Sequence, residues 1–148
     1  MEYSKVIIAS DYIKANFKNL HFTRSCVTDG VFNYLEYVCK TPLEVIKEKF
    51  VKLCEVLVIE DTNQFLKLKV YYNAEYTFEV WVWRSRTPSE HFLMVYLKGL
   101  DRAQRTYINT LAADAGYRIT DKDLYKNGVS VNVPNKTEFK KILKIKNL

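Results

Sequence analysis

Between Phe65 and Trp83 the chain alternates apolar and polar side chains twice, and this alternation constrains the fold more than any other feature. Leu66, Leu68 and Val70 are interleaved with Lys67 and Lys69, and Phe78, Val80 and Val82 with Glu79, Trp81 and Trp83. Side chains along an extended strand point alternately to opposite faces, so a period of two predicts half-buried strands over Phe65 to Tyr72 and Tyr76 to Trp83. A third strand-like run covers Cys54 to Ile59.

Helical periods flank this core. Val6, Ile7, Ile8, Tyr12, Ile13 and Phe17 recur close to every 3.6 residues, which predicts an amphipathic helix over Ser4 to Asn19. His21 to Ser25 and Val31 to Lys40 read as extended segments joined at Thr28-Asp29-Gly30, because Asp-Gly favours a tight hairpin. Thr41-Pro42-Leu43-Glu44 and Thr87-Pro88-Ser89-Glu90 each combine a capping Thr, a Pro suited to the first turn and a Glu placed to reach back, so each opens a helix. Val45, Ile46, Phe50 and Leu53 supply the buried face of the first, and the second runs through Lys98.

Downstream, a helix is expected from Asp101 to Ala115, burying Ala103, Tyr107, Leu111 and Ala115, with Gly116 as its stop. Short extended pieces are expected at Arg118-Ile119 and Val129 to Val133, with Leu124-Tyr125-Lys126-Asn127-Gly128 as a turn between them. A last helix follows Asn135, with Glu138 as its capping partner and Phe139, Ile142 and Leu143 buried. Runs of strand and helix in this order define an α+β protein with a mixed sheet.

Charge and composition narrow the partners. The 148 residues carry 23 Lys and Arg against 17 Asp and Glu, and a net charge of +6 favours anionic partners. Cys26, Cys39 and Cys54 are odd in number and lack CxxC spacing, which speaks against a disulfide framework or a zinc site. No apolar run approaches the roughly 20 residues needed to span a bilayer, and the N-terminus has no long apolar stretch, so a soluble, intracellular chain without a membrane partner is expected. His21 and His91 stand apart from any Cys or Ser motif, and no Walker loop, GxGxxG or HExxH occurs. Few Gly and Pro residues beside abundant Lys, Asn, Ile and Tyr suit an AT-rich genome, as in many viruses.

One larger pattern runs through the second half. Phe78-Glu79-Val80-Trp81 is followed by Tyr96-Leu97-Lys98-Gly99-Leu100, a polar helix, Gly116-Tyr117-Arg118-Ile119-Thr120, Leu124-Tyr125 and a closing helix with Thr137-Glu138-Phe139 and Ile142-Leu143. In order and spacing this resembles the end of the palm and the thumb of family X DNA polymerases. The resemblance covers Glu79 to Leu148 and only weakly the upstream half. It implies a nucleotidyltransferase-like palm over 1–98 and a small thumb over 99–148.

The same resemblance marks what is missing. Counting back from Thr41-Pro42, Tyr34 stands for the family's first metal-binding Asp and Glu36 for the second, Glu79 stands for the third, and Arg24-Ser25 replaces the Gly-Ser that holds a triphosphate. Transfer through paired Mg²⁺ ions needs about three converging carboxylates, and Tyr34 cannot supply one. The expectation is therefore a catalytically inactive protein whose vestigial positions are Tyr34, Glu36 and Glu79, with no metal or cofactor. The alternative of an active transferase using Glu36 and Glu79 would restore a need for Mg²⁺.

Phosphate contact tolerates such losses, because it asks only for cations and amide donors. Lys98, Gly99, Arg102, Arg105 and Arg118 around the thumb-like helix are the nucleic-acid-binding candidates, with Lys140 and Lys144 in a tail that also holds Lys136, Lys141 and Lys146. Arg84 and Arg86 beside Trp81 and Trp83 form an aromatic-basic edge that either stacks on bases or ends a strand. The expected partner is DNA, or a protein of a replication, repair or viral complex. A protein adaptor that does not bind nucleic acid is the remaining alternative.

Overall fold

The computed structural model describes residues 2–73 and 76–145, with side chains from Ser4 onward. The chain divides into two compact units, Met1–Arg84 and Ser85–Leu148. It is an α+β protein with five helices, a five-stranded mixed sheet and a small three-stranded sheet among the described residues.

The first unit runs α1 (Glu2–Asn16), β1 (His21–Thr28), β2 (Val31–Cys39), α2 (Leu43–Leu53), β3 (Glu55–Asp61), β4 (Phe65–Tyr71) and β5 (Thr77–Arg84). Its sheet has the order β1-β2-β5-β4-β3, in which β2 and β5 are parallel and the other pairs antiparallel. A parallel pair cannot be joined by a tight turn, and here the crossover is α2 with β3 and β4. The alternation seen in the sequence decides the faces. Leu66, Leu68, Val70, Phe78, Val80 and Val82 are buried against Ala9 and Ile13 of α1, Phe17 just after it, and Ile46 and Phe50 of α2. Phe17 and Phe50 stack with centroids 4.0 Å apart, which joins the residue after α1 to α2.

Several local expectations are corrected. Ile7 is exposed, because α1 rests on the sheet through Ala9 and Ile13, one turn apart, with Phe17 continuing the stripe just past its end. Thr41 does not cap α2: Pro42 holds that position, no side-chain cap bond forms, and the Thr41 carbonyl accepts from the Cys39 thiol. Val45 and Leu53, expected inside, are exposed, and α2 is anchored by Leu43, Ile46 and Phe50. The Asp29-Gly30 hairpin is as expected, with both residues at positive φ, 53° and 77°, between paired Thr28 and Val31.

The second unit contains α3 (Pro88–Lys98), α4 (Arg102–Asp114), β6 (Arg118–Ile119), β7 (Leu124–Lys126), β8 (Val129–Ser130) and α5 (Lys136–Leu143). Its division from the first unit falls at Arg84 because α3, grouped with the palm-like segment in the sequence reading, places Leu93 and Leu97 in this unit's core with Ile108, Ala112, Leu124 and Phe139. Thr87 caps α3 by accepting from the Glu90 amide, with Pro88 in the first turn, and Asn135 caps α5 by accepting from the Glu138 amide. Gly116, at φ 85°, ends α4 in a Schellman motif in which Tyr117 N–H reaches the Ala112 carbonyl and Gly116 N–H the Ala113 carbonyl.

Leu124 to Lys126, read as turn from the sequence, is instead the central strand of the β6-β7-β8 sheet. Only Asn127-Gly128 turns, with φ of 53° and 77°, and Lys126 pairs with Val129 across it. The buried stripe of α4 is also displaced: Ile108 and Ala112 are buried, Leu111 and Ala115 are half-buried, and Ala103 and Tyr107 are exposed.

Candidate functional site

In the first unit Tyr34, Glu36 and Glu79 meet on the sheet face opposite the helices. Tyr34 and Glu79 are register partners on the parallel strands β2 and β5, and Glu36, two residues along β2, is the partner of Trp81. A register shift beside Asn33 lets Phe32 join the helix-covered core while Tyr34 and Glu36 point to the other side. The sequence thus brings together the residues singled out as relics of a carboxylate site.

What surrounds them is ionic and aromatic. Glu36 is 1% exposed, and its two oxygens are engaged separately: Arg24 Nε donates to Oε1 at 2.6 Å and Trp83 Nε1 to Oε2 at 2.7 Å. Burial alone would weaken the Arg24 charge, but the neighbouring Glu36 carboxylate outweighs it and leaves the guanidinium above its ordinary value. Arg24, placed by the sequence reading where a triphosphate would bind, is therefore the counter-ion of Glu36. The second irregularity of the β1–β2 ladder, at Thr23, accompanies this pairing: Phe22 faces Tyr37 while Arg24 faces Glu36.

Tyr34 lies flat on Trp81, with centroids 3.7 Å apart and planes within 3°. Burial raises its phenol above the usual value, against the opposing pull of Arg24. Glu79 accepts from Trp81 Nε1 at 2.9 Å and lies 4.0 Å from Lys67 Nζ, which also sits over the Trp81 ring at 4.7 Å. Phe65 packs on Trp83 at 4.2 Å. A cleft of about 380 Å³ opens beside the stack, lined in part by Asn33, Tyr34, Lys69, Thr77, Glu79 and Trp81. Trp81 thus takes its cationic neighbour, Lys67, from β4, and Trp83 shares the Glu36 carboxylate with Arg24 of β1. Arg84 lies by alternation on the face of Val80 and Val82, and Arg86 pairs with Glu90 at 3.6 Å.

In the second unit the cationic candidates separate into two kinds. Arg102 and Arg118 are exposed, and Arg118 stands over the Tyr125 ring at 5.0 Å. Lys126, which the sequence reading left out, makes the matching contact with Tyr117 at 5.1 Å. In α5, Lys144 is exposed, Lys140 is half-buried, and Lys141 pairs with Glu138 at 3.6 Å; Lys146 lies outside the described residues.

Arg105 is of the other kind. It donates to Asn109 Oδ1, the Thr120 carbonyl and Asp121 Oδ1 at 3.0, 3.2 and 3.4 Å, so it ties α4 to the segment after β6. The amide site expected beside Lys98 and Gly99 is altered too. The Asp101 side chain accepts from the Gln104 amide, and Gln104 reaches back to the Asp101 amide, so a carboxylate of the chain already sits at the start of α4. Gly99 itself has an ordinary right-handed conformation at φ −81°. Asp101-x-x-Gln104 was the sequence signal for this capping box.

Among the described residues no group of three or more His, Cys, Asp or Glu is placed to hold a metal ion, and no helix is long and apolar enough to cross a membrane. No family model matches the chain, and no curated protein matches it in sequence.

Proposed function

We propose that this chain is a catalytically inactive relative of family X DNA polymerases that grips DNA within a replication, repair or viral process. The observation that carries the reading is the fate of the three family positions. They lie together on β2 and β5, yet the first is a Tyr stacked on Trp81 and the second is a Glu held by Arg24 and Trp83. Such a donor set does not fit a two-metal centre. Mg²⁺ would have to displace a guanidinium bonded at 2.6 Å and would find at most two carboxylates where about three are needed.

DNA contact in this reading falls to the exposed cations of the second unit, chiefly Arg102, Arg118 and Lys144, supported by the half-buried Lys98 and Lys140. Their contribution is to offset phosphate charge, so affinity falls with salt. The test pairs two assays on one labelled primer-template. Anisotropy in EDTA should show salt-sensitive binding that weakens in Arg102→Ala/Arg118→Ala/Lys144→Ala, and incubation with nucleotides and Mg²⁺ or Mn²⁺ should give no extension. Extension that is lost in Glu36→Gln would replace this reading with an active transferase, and absence of binding at low salt would leave a protein adaptor.

A further inference from the structure

The two edges of the five-stranded sheet differ in a way that nucleic-acid binding does not explain. β1, at one edge, is interrupted by two register shifts and carries Arg24, both of which discourage strand addition. β3, at the other edge, reads Glu55-Val56-Leu57-Val58-Ile59-Glu60-Asp61, with no Lys, Arg or Pro. Leu57, Val58 and Ile59 are consecutively exposed, at 53, 39 and 41%. The strand pairs regularly with β4 from Glu55 to Val58, and its single irregularity lies between Val58 and Glu60. A bare apolar edge of this kind is a template for another strand.

Charge identifies the occupant. In a chain of net charge +6, this edge is locally acidic, with Glu55 at one end and Glu60 and Asp61 at the other; of these three, Asp61 alone has an ion pair among the described residues, at 2.7 Å with Lys47 of the neighbouring helix. A second copy fits poorly. Antiparallel self-pairing centred on Leu57 and Val58 sets Glu55 against Glu60 at both ends, parallel self-pairing sets like against like, and facing carboxylates repel. We infer that β3 takes up, as a sixth strand, an extended apolar segment of another protein whose ends carry Lys or Arg. Main-chain bonds along the edge supply affinity, and the flanking charges select the partner and its placement.

The experiment uses the full chain and fluorescein-labelled nonapeptides with alternating Val and Thr at the centre, flanked at both ends by Lys in one peptide and by Glu in the other. Anisotropy at low salt should give at least about tenfold tighter binding of the Lys-flanked peptide. Because Glu55 and Glu60 are exposed, the variant Glu55→Lys/Glu60→Lys keeps its core and should reverse the preference. Leu57→Lys/Ile59→Lys should abolish binding of the Lys-flanked peptide. Equal binding of both peptides, binding of neither, or a preference unchanged in the Glu55→Lys/Glu60→Lys variant would overturn the inference. So would sedimentation equilibrium showing a dimer of the free chain that Leu57→Lys/Ile59→Lys dissolves, since the edge would then belong to a second copy.

Discussion

Removing Arg24 isolates the ion pair on the sheet face that β2 and β5 share. In Arg24→Ala, Glu36, 1% exposed in the parent, keeps its bond from Trp83 but loses the guanidinium at 2.6 Å. Stranding one partner of a fully buried pair costs about 3–5 kcal/mol. Here the Arg24 side chain is 47% exposed, so water replaces part of what is lost. We therefore expect a loss of about 2 kcal/mol, equivalent to a fall in the urea midpoint of roughly 2 M at an m-value near 1 kcal/mol/M. The assay is intrinsic fluorescence, because both tryptophans, Trp81 and Trp83, lie on β5 and report the first unit. Arg24→Ala/Glu36→Gln serves as control. Its neutral amide still accepts from Trp83, and its stability should return to within about 1 kcal/mol of the parent. If Arg24→Ala alone stays within about 0.5 kcal/mol of the parent, Glu36 is held by water and the argument fails.

Other consequences are as direct. Thr87→Ala removes the cap of α3 and should lower stability by about 1 kcal/mol in thermal melts followed by far-ultraviolet circular dichroism, with Thr87→Ser restoring most of it. Arg105→Ala should destabilise the second unit by about 1–2 kcal/mol while leaving the salt slope of DNA binding unchanged, whereas Arg102→Ala should reduce that slope by about 1 without loss of stability. Burial pushes the Cys39 thiol from 9.0 up to about 11, so the neutral thiol favours the fold fully below pH 9 and its contribution is lost as pH rises towards 11. The unfolding free energy of the parent from urea titrations should fall over this interval by about 2–3 kcal/mol more than that of Cys39→Ala.

The sheet was legible because its strands are half-covered. Where Leu66, Leu68 and Val70 face helices and Lys67 and Lys69 do not, burial writes a period of two into the chain. Caps and hairpins were legible where the motif suffices, as at Thr87-Pro88 and Asp29-Gly30. They were misread where neighbours decide: Thr41 lost its capping role to Pro42, and β7 hid beside Asn127-Gly128 because a three-residue strand is too short to display a period. The meeting of Tyr34, Glu36 and Glu79 on the paired strands β2 and β5 followed from no spacing or period, only from what the family resemblance implies. The partners of Glu36 did not follow even from that, since Arg24 reaches it across a ladder with a shift at Thr23, and Trp83 comes from a strand 47 residues away. Likewise Arg105 reads as one more thumb cation until the Thr120 carbonyl and Asp121 are seen to hold it.

DNA binding in EDTA tests the central claim most directly, because it separates grip from metal chemistry. A labelled duplex titrated with the chain between about 50 and 200 mM KCl should give saturable binding whose log affinity falls linearly with log salt, at about −0.9 per phosphate contact. Affinity that does not change with salt, or that arises only when Mg²⁺ is added, would contradict the account.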